Sequence, residues 1–573
     1  MRAADPPSRL DAVLPGLRVL RGYRRVWLRG DVVAGVTVAA YLVPQVMAYA
    51  SLAGLPPVAG LWGILLPLAG YALVGSSRQL SVGPESTTAL LTVAVIAPIA
   101  AGDPGRYAVL AAGLALVVGG LFLLAWAARL GIVADLLSRP ILVGYLAGVA
   151  VIMITSQVGK VTGLEIAGDS VVEQVRSIVA SDAPVSGLTV ALAAGVLVLL
   201  VVLQRLWPRL PGPLVAVLVA TAAVWALDLE ARGVAVVGAM PSGLPTFTVP
   251  DVAAADLRAL ALPALGIVLV GYSDSISTAR AFASRRHQTI DANTELLALG
   301  VANVGAGVSQ GFPVSSSASR TAIGDAAGST TQVHSLAALG CVVLVLLWLG
   351  PLLEHFPMAA LGALVIYAAT RLVDVAEIRR IAAFRGSELA ITLTTVAGVL
   401  LLDILRGLLL AIGLSAVLLL ARVARPHAAV LGLVPGLAGM HDVGDFAGSR
   451  TIPGLVVFRY DSPLFFANAE DFRRRALAAV DEAEDAGPVA WFLLNAEANV
   501  HVDLTALDAL EDLRRELAER GVVVALARVK QELLADLRST GLVGRIGDDH
   551  VYPTLPTAVA AYEAWRQQHP TAG

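Results

Sequence analysis

Between Asp31 and Ala421 the chain passes through one apolar stretch after another, most of them bounded by Gly, Pro or Arg. A helix that crosses a hydrocarbon core needs about 20 mostly apolar residues, so such stretches have few other destinations. Seven candidates come first: Asp31–Ala53, Val58–Gly75, Glu85–Ala101, Tyr107–Ala127, Val133–Ser156, Val185–Leu203 and Leu214–Leu227. Seven more follow: Leu257–Ala283, Glu295–Val308, Ser316–Ala326, Val333–Leu349, Met358–Leu372, Leu389–Leu405 and Leu408–Ala421. The expected fold is a polytopic α-helical membrane protein of 14 spans, seven plus seven, with repeats over 31–230 and 256–425 and a transmembrane domain over 31–425.

Charge is distributed unevenly along the 573 residues. From Arg450 to Gly573 there are 32 charged residues in 124, the share of an ordinary soluble domain. The preceding 449 residues hold only 53. The 57% hydrophobic content excludes a disordered chain and a purely soluble enzyme. The single cysteine, Cys341, excludes an internal disulfide framework and any cysteine-cluster metal site. A net charge of −3 gives no basic signal for nucleic acid. Residues 1–30, with Arg9, Arg18, Arg21, Arg24, Arg25 and Arg29, lack the apolar core of a secretory signal and read as a cytoplasmic arm.

With that arm inside, one set of turns carries Arg78, Arg129, Arg205, Arg209, the cluster Arg285, Arg286 and His287, and the cluster Arg371, Arg379, Arg380 and Arg385. The opposite turns are poorer, with Arg106, Lys160, Arg176, Arg232, Arg258 and Arg406. The positive-inside rule then predicts a cytoplasmic N-terminus in the cell membrane, and an even span count returns the tail to the cytoplasm.

Two segments break the apolar pattern alike. One is Gln79-Leu-Ser-Val-Gly-Pro84-Glu-Ser-Thr-Thr88; the other is Gln310-Gly-Phe-Pro313-Val-Ser-Ser-Ser-Ala-Ser-Arg320-Thr321. Each joins a Gly/Pro break to a hydroxyl-rich start of a short apolar stretch, at matching places in the two halves. Interrupted helices so placed point to a transporter site. A helix that starts at mid-membrane leaves its first N–H groups unpaired and carries a partial positive charge there. Two such ends facing each other form an anion site, and Arg320 adds a full charge. The plainer alternatives are close helix packing by Ser and Thr, and for Arg320 a structural pair with Asp325 or an edge anchor.

Other polar residues in apolar stretches are Gln45, Glu85, Asp274, Thr278, Asn303 and Asp403. Gln45 follows Pro44, where a kinked helix would face it into a cavity. Asp274 and Thr278 lie on one helix face and can hold a proton or a cation, or make a helix-helix bond or a pair with Arg320. Asp403 beside Arg406 reads as an edge pair.

The run Pro44-Gln-Val-Met-Ala-Tyr-Ala-Ser-Leu-Ala-Gly-Leu-Pro-Pro-Val-Ala-Gly-Leu61 closely resembles the signature of the sulfate permease (SulP) family. Ser81-Val-Gly-Pro-Glu85 is similar to its third-span motif, and Ile290 to Gly300 and Gly311 to Thr321 to those of the ninth and tenth spans. The tail from about Thr451 resembles its sulfate-transporter and anti-sigma-antagonist (STAS) domain. The resemblance implies an inverted repeat with core and gate halves, secondary active anion transport, and a homodimer in the lipid bilayer. It implies an anion pocket formed by Gln45, Pro84, Glu85, Ser86 and Thr87 with Ser316, Ser317, Ala318, Ser319 and Arg320. It also places an acid at Asp274; a sodium-coupled bicarbonate branch has Asp with Thr four later, as Asp274 and Thr278 stand here, though that branch differs at Ser316, Ser317 and Ala318. Relatives often have a small residue at Glu85, whose carboxylate would repel an anion unless protonated or paired.

A linker is expected over 426–450 and a small α/β domain over 451–567, with strands Leu455–Tyr460, Val489–Asn495 and Val522–Ala527 and helices Ala469–Glu484, Leu504–Glu519 and Gln531–Thr540. Asp503-Leu-Thr505-Ala resembles the STAS loop that is phosphorylated in anti-sigma antagonists; helix N-capping is the ordinary reading. No Gly-rich nucleotide loop, metal spacing or nucleophile-base set is present, so the expectation is a transporter without cofactor and not an enzyme. The substrate expected is a small inorganic anion, sulfate-like, with a proton as coupling ion; bicarbonate or a dicarboxylate such as fumarate, with sodium, is the alternative. A nucleobase permease of the same seven-plus-seven plan and a membrane sensor signalling through the tail are the rivals.

Overall fold

The computed structural model describes residues 14–569 apart from 132–137, 167, 169–170, 182, 208–209, 242 and 403. Arg9, Arg209, Asp403 and the first residues of the span expected from Val133 therefore lie outside the described residues. The chain forms two compact units, residues 1–415 and 416–573. The division falls inside the last span, near whose end the Val423 carbonyl accepts from the Asn468 amide.

In the first unit the spans are α1 (Leu28–Leu52), α2 (Val58–Val74), α3 (Ser86–Ala100), α4 (Pro104–Ala127), α5 (Arg139–Thr162), α6 (Gly187–Leu206) and α7 (Gly212–Ala226). They continue with α8 (Ala254–Arg285), α9 (Ala292–Val308), α10 (Ala318–Ala326), α11 (Val333–Trp348), α12 (Met358–Thr370), α13 (Gly386–Leu402) and α14 (Ile404–Ala424). The order matches the expected spans, with shifts of a few residues at their ends. Short amphipathic helices at Val171–Ala180 and Val375–Phe384 were not anticipated; their few apolar residues fall below any spanning pattern.

One expectation changes. The second span is broken into Val58–Trp62 and Leu65–Val74. The break lets Gly63 meet Gly311: a Cβ on Gly311 would sit 2.4 Å from the Gly63 Cα. Pro44 lies inside helix α1, which continues past it. Glycine also explains the Pro-Pro-Val-Ala-Gly run, because a Cβ on Gly60 would fall 2.1 Å from the Val46 carbonyl oxygen. Only a bare Cα allows that approach between α1 and α2.

Both paired breaks become short strands. β1 (Val82–Gly83) and β2 (Ser315–Ser316) lie antiparallel, Val82 opposite Ser316 and Gly83 opposite Ser315. The ladder extends through Ser317 N, which donates to the Ser81 carbonyl at 2.9 Å, and Ser81 N, which donates to Thr321 Oγ1 at 3.0 Å. These bonds satisfy backbone that would otherwise be stranded in an apolar surround. The helices that follow, α3 with 15 residues and α10 with nine, are about 22 and 14 Å long at 1.5 Å per residue. Neither is long enough to cross a core of about 30 Å.

The second unit holds a six-stranded sheet. Its strands are β3 (Ala428–Leu433), β4 (Met440–Asp442), β5 (Leu455–Tyr460), β6 (Trp491–Asn495), β7 (Val523–Ala527) and β8 (Val551–Tyr552), in the order β4-β3-β5-β6-β7-β8. β5 to β8 are parallel and β3 is antiparallel to β5. The expected linker 426–450 is therefore no linker: it supplies β3 and β4, which close the sheet on one side. Helices α15 (Ala469–Glu484), α16 (Leu504–Glu519) and α17 (Gln531–Ser539) cover one face through Phe472, Leu510, Leu513 and Leu537. Tyr562 of α18 (Leu555–Gln568) packs with Trp491 on the other.

Candidate anion site between two half-helices

The strand crossing brings the starts of α3 and α10 together. Glu85 is the N-cap of α3; its carboxylate accepts from Thr87 N at 2.9 Å and from Ser86 Oγ at 2.8 and 3.0 Å. Ser317 is the N-cap of α10 and its hydroxyl lies 3.1 Å from Ser319 Oγ. Both caps follow the ordinary rule that a short or acidic oxygen acceptor closes a helix start. They differ in kind: one cap is a carboxyl group and the other a hydroxyl.

Arg320, in the first turn of α10, is wholly buried. Its Nη1 donates to the Pro84 carbonyl at 2.9 Å and to Gln45 Oε1 at 3.2 Å, so it bridges α10, the β1–α3 turn and α1. Nε and Nη2 have no hydrogen-bond partner. A Cβ on Gly83 would press on Ile64 Cδ1 at 2.5 Å, whereas Arg320 Nη2 would lie at an ordinary contact distance of 3.5 Å. The Asp325 partner expected as an alternative is taken by Arg286, and among the described residues Arg320 has no carboxylate within ion-pair distance. A buried guanidinium with two idle donors is costly unless something else is meant to meet them.

Gln45 is held in turn by Tyr49, whose hydroxyl accepts from Gln45 Nε2 at 2.9 Å. Ser316 joins the acid of α8: its hydroxyl reaches Asp274 Oδ2 at 3.4 Å and its N–H donates to Ser275 Oγ at 3.2 Å. Asp274 is half-buried, and Thr278 is buried one turn further along α8. Thr87 is nearly covered, Ala318 is exposed and Ser319 half-exposed. All ten pocket candidates thus gather around the strand pair, with Asp274 beside them.

Two buried carboxylates escaped the sequence reading. Glu295, at the start of α9, accepts from Tyr71 Oη at 2.7 Å, Ser76 Oγ at 2.7 Å, Ser76 N at 2.9 Å and Ser77 N at 3.2 Å. Asp31 accepts from Thr330 N, Thr331 N and Thr331 Oγ1 at 2.6, 3.0 and 2.7 Å and from Tyr23 at 3.1 Å. An acid opening an apolar span is itself a signal; Tyr23 apart, its donors, 218 or more residues away, carry none.

Family models decide the identity. Residues 28–395 match the sulfate permease family and residues 448–558 match the STAS domain. The chain belongs to the sulfate permease family. A probable sulfate transporter of Mycobacterium tuberculosis is 59% identical over 548 residues, covering 96% of this chain and 98% of that protein. The chloroplastic sulfate transporter 4.1 of Arabidopsis thaliana is 30% identical, covering 96% and 82%. In three dimensions the murine Solute Carrier 26 family member A9 superposes with a TM-score of 0.89 at 22% identity, over 98% of this chain and 96% of that one. The transmembrane domain of the cyanobacterial bicarbonate transporter BicA gives 0.61 at 21%, over 67% and 98%. The fold of this family member is that of these transporters, helical, with a C-terminal STAS domain.

Proposed function

We propose that this sulfate permease family member is a secondary active transporter of small inorganic anions across the cell membrane, sulfate first among them, coupled to protons. The observation that carries this reading is the pair of idle donors on buried Arg320, set where two half-helices begin. A tetrahedral oxyanion placed there takes Nε and Nη2 of Arg320, hydroxyls of Ser317 and Ser319, and the first N–H groups of α10. Relatives named as sulfate transporters favour sulfate; the helix ends themselves recognise negative charge, so bicarbonate and fumarate remain in the test.

Asp274 is the coupling group of this reading. Protonated, it no longer repels an anion beside Ser316, and inward movement of anion and proton together follows. Sodium held by Asp274 and Thr278 is the competing case. The N-terminus and the STAS domain face the cytoplasm, and the working form is a homodimer in which the tail regulates transport.

The test is uptake of labelled sulfate by the purified full chain in vesicles, with pH and sodium gradients imposed separately. Sulfate should enter when the outside is acid, with no need for sodium. Counterflow with bicarbonate, fumarate and uracil ranks the alternatives. A protein that moves none of the anions under either gradient overturns the reading: movement of uracil alone points to a nucleobase permease, and movement of nothing to a sensor.

A further inference from the structure

Away from the strand crossing, the first unit holds a second concavity of about 800 Å³, walled by three separate elements. The short helix Pro15–Arg21 forms one side and Gly75–Arg78, between α2 and β1, forms the floor. The third side is His287–Asp291, between α8 and α9. The short helix is seated firmly: a Cβ on Gly16 would fall 2.2 Å from the Ala72 carbonyl oxygen of α2.

The charges in this cleft are one-sided. Arg18, Arg78 and His287 line it, against one carboxylate, Asp291. Asp291 is already engaged as the N-cap of α9, taking Thr294 N at 2.6 Å. Among the described residues neither Arg18 nor Arg78 has a carboxylate within ion-pair distance. Arg18, on the short helix, is exposed and Arg78, on the floor, is half-buried; both line the cleft. Trp27, Val19 and Leu20 supply an apolar margin.

The floor is wired to the anion site. Ser76 and Ser77 donate to Glu295 of α9, and the Gln332 amide donates to the Ser77 and Leu80 carbonyls at 2.9 Å each. Two residues past Leu80 the chain enters β1 at Val82. A ligand that draws Arg18, Arg78 and His287 together therefore grips the N-terminal helix, the approach to β1 and the end of α8 at once.

We propose that this cleft is a second anion site, separate from the transport pathway, which takes a phosphate group carrying two negative charges and stiffens the approach to β1. Two guanidiniums and an imidazole lining one cleft suit the oxygens of a phosphomonoester, whether on a lipid headgroup or on a soluble phosphate compound. Binding itself is independent of the transport reading; the effect on rate rests on it.

The experiment uses the purified full chain in phosphatidylcholine vesicles or discs, with phosphatidic acid and glycerol 3-phosphate as probes and native mass spectrometry to count what stays bound. The parent should retain phosphatidic acid or glycerol 3-phosphate. The double variant R18Q/R78Q should bind about tenfold more weakly or worse, since each charge-assisted bond is worth about a factor of ten. R18K/R78K should recover part of that loss, which a folding defect would not. R320Q should bind both probes as the parent does. Competition by glycerol 3-phosphate identifies a soluble phosphate as a sufficient occupant; retention of the lipid against it identifies the headgroup. Failure of the parent to hold either probe overturns the proposal, as does equal binding by R18Q/R78Q or loss of binding in R320Q. With the parent transporting sulfate, phosphatidic acid should change its uptake rate several-fold and leave R18Q/R78Q unaffected. A parent that binds phosphatidic acid but moves no anion would sink the transport reading and leave this site standing.

Discussion

The two units of this protein treat the same charged groups in opposite ways. In the tail, guanidiniums sit in exposed networks with several carboxylates each: Arg473 with Glu470 and Glu516, Arg520 with Asp481, Glu484 and Glu516. Water screens such pairs, and each is worth little. In the membrane part, Arg320 is buried with a carbonyl and an amide for company, while Asp31 and Glu295 are buried with neutral donors only. Charge is rare there and expensive, so each instance has a specific task. The carboxylates are saturated and fasten segments distant in sequence. The guanidinium is left half-satisfied, which suits it to receive a ligand.

That contrast is broken most sharply at Arg320. Arg320→Gln keeps bonding to Pro84 or Gln45 within reach but removes the charge. Loss of one partner of a buried charge contact costs about 2–5 kcal/mol, which is between about thirtyfold and a few thousandfold in uptake. The variant should still elute as folded protein. Sulfate uptake with unchanged rate and apparent affinity would make Arg320 a structural residue. Glu295 is the next test, and of the opposite kind. Glu295→Ala strands the Tyr71 hydroxyl and the Ser76 and Ser77 donors, at about 1–3 kcal/mol for each orphan left buried. Melting temperature and yield should fall, with residual folded protein keeping its affinity for sulfate. A melting temperature equal to the parent's would show that the four bonds are replaced by water.

How far the sequence could be read follows the same division. The spans and the two breaks were legible because hydropathy, Pro, Gly and hydroxyl runs are local properties. The two breaks, Arg320 and Gln45 stood out as site candidates from the residues themselves, and the resemblance supplied the rest of the set; nothing local pairs Val82 with Ser316. Glu295 and Asp31 were missed because most of their donors lie far off in the chain, on Tyr71, Ser76 and Ser77 and on Thr330 and Thr331. β3 was missed for a related reason. Ala428–Leu433 is six residues among Gly and Pro, and its strand state is decided by β5 across the sheet, not by its own pattern. The break at Gly63 belongs with these: one glycine among many is marked only by the approach of Gly311.

Asp274 sharpens the comparison, as a half-buried acid with a single long bond from Ser316. If it carries the coupling proton, Asp274→Asn mimics the protonated state permanently. Uptake should then lose most of its stimulation by external acid, about tenfold if one charge at short range is relieved. Uptake at neutral pH should persist. Vesicle uptake at a series of external pH values, with sodium absent, reads this directly. An undiminished acid dependence in the variant moves the coupling role to Glu85, the other carboxylate at the site.

The smallest effect belongs to the tail, and it calibrates the others. Glu511 of α16 accepts from Arg514 at 2.9 Å through both oxygens and from Arg545 at 3.1 Å. The Arg514 bonds, helped by Arg545 and opposed by partial burial, hold its carboxyl down to about 2. In the unfolded chain the same group titrates near 4.3. Because the folded value is the lower one, the cluster's contribution is complete above about pH 5 and is lost as pH falls from there towards 2. The cluster is partly exposed, with Arg545 at 46%, so screening limits it to about 1 kcal/mol. Glu511→Gln should therefore raise hydrogen exchange in peptides from α16 of the full chain modestly at pH 6. At pH 3 the difference from the parent should shrink, because the parent is by then losing the same interaction. A gap of several kcal/mol at pH 6, or one that widens on acidification, would mean that this tail cluster behaves like the buried charges of the membrane part and that burial is not what separates the two.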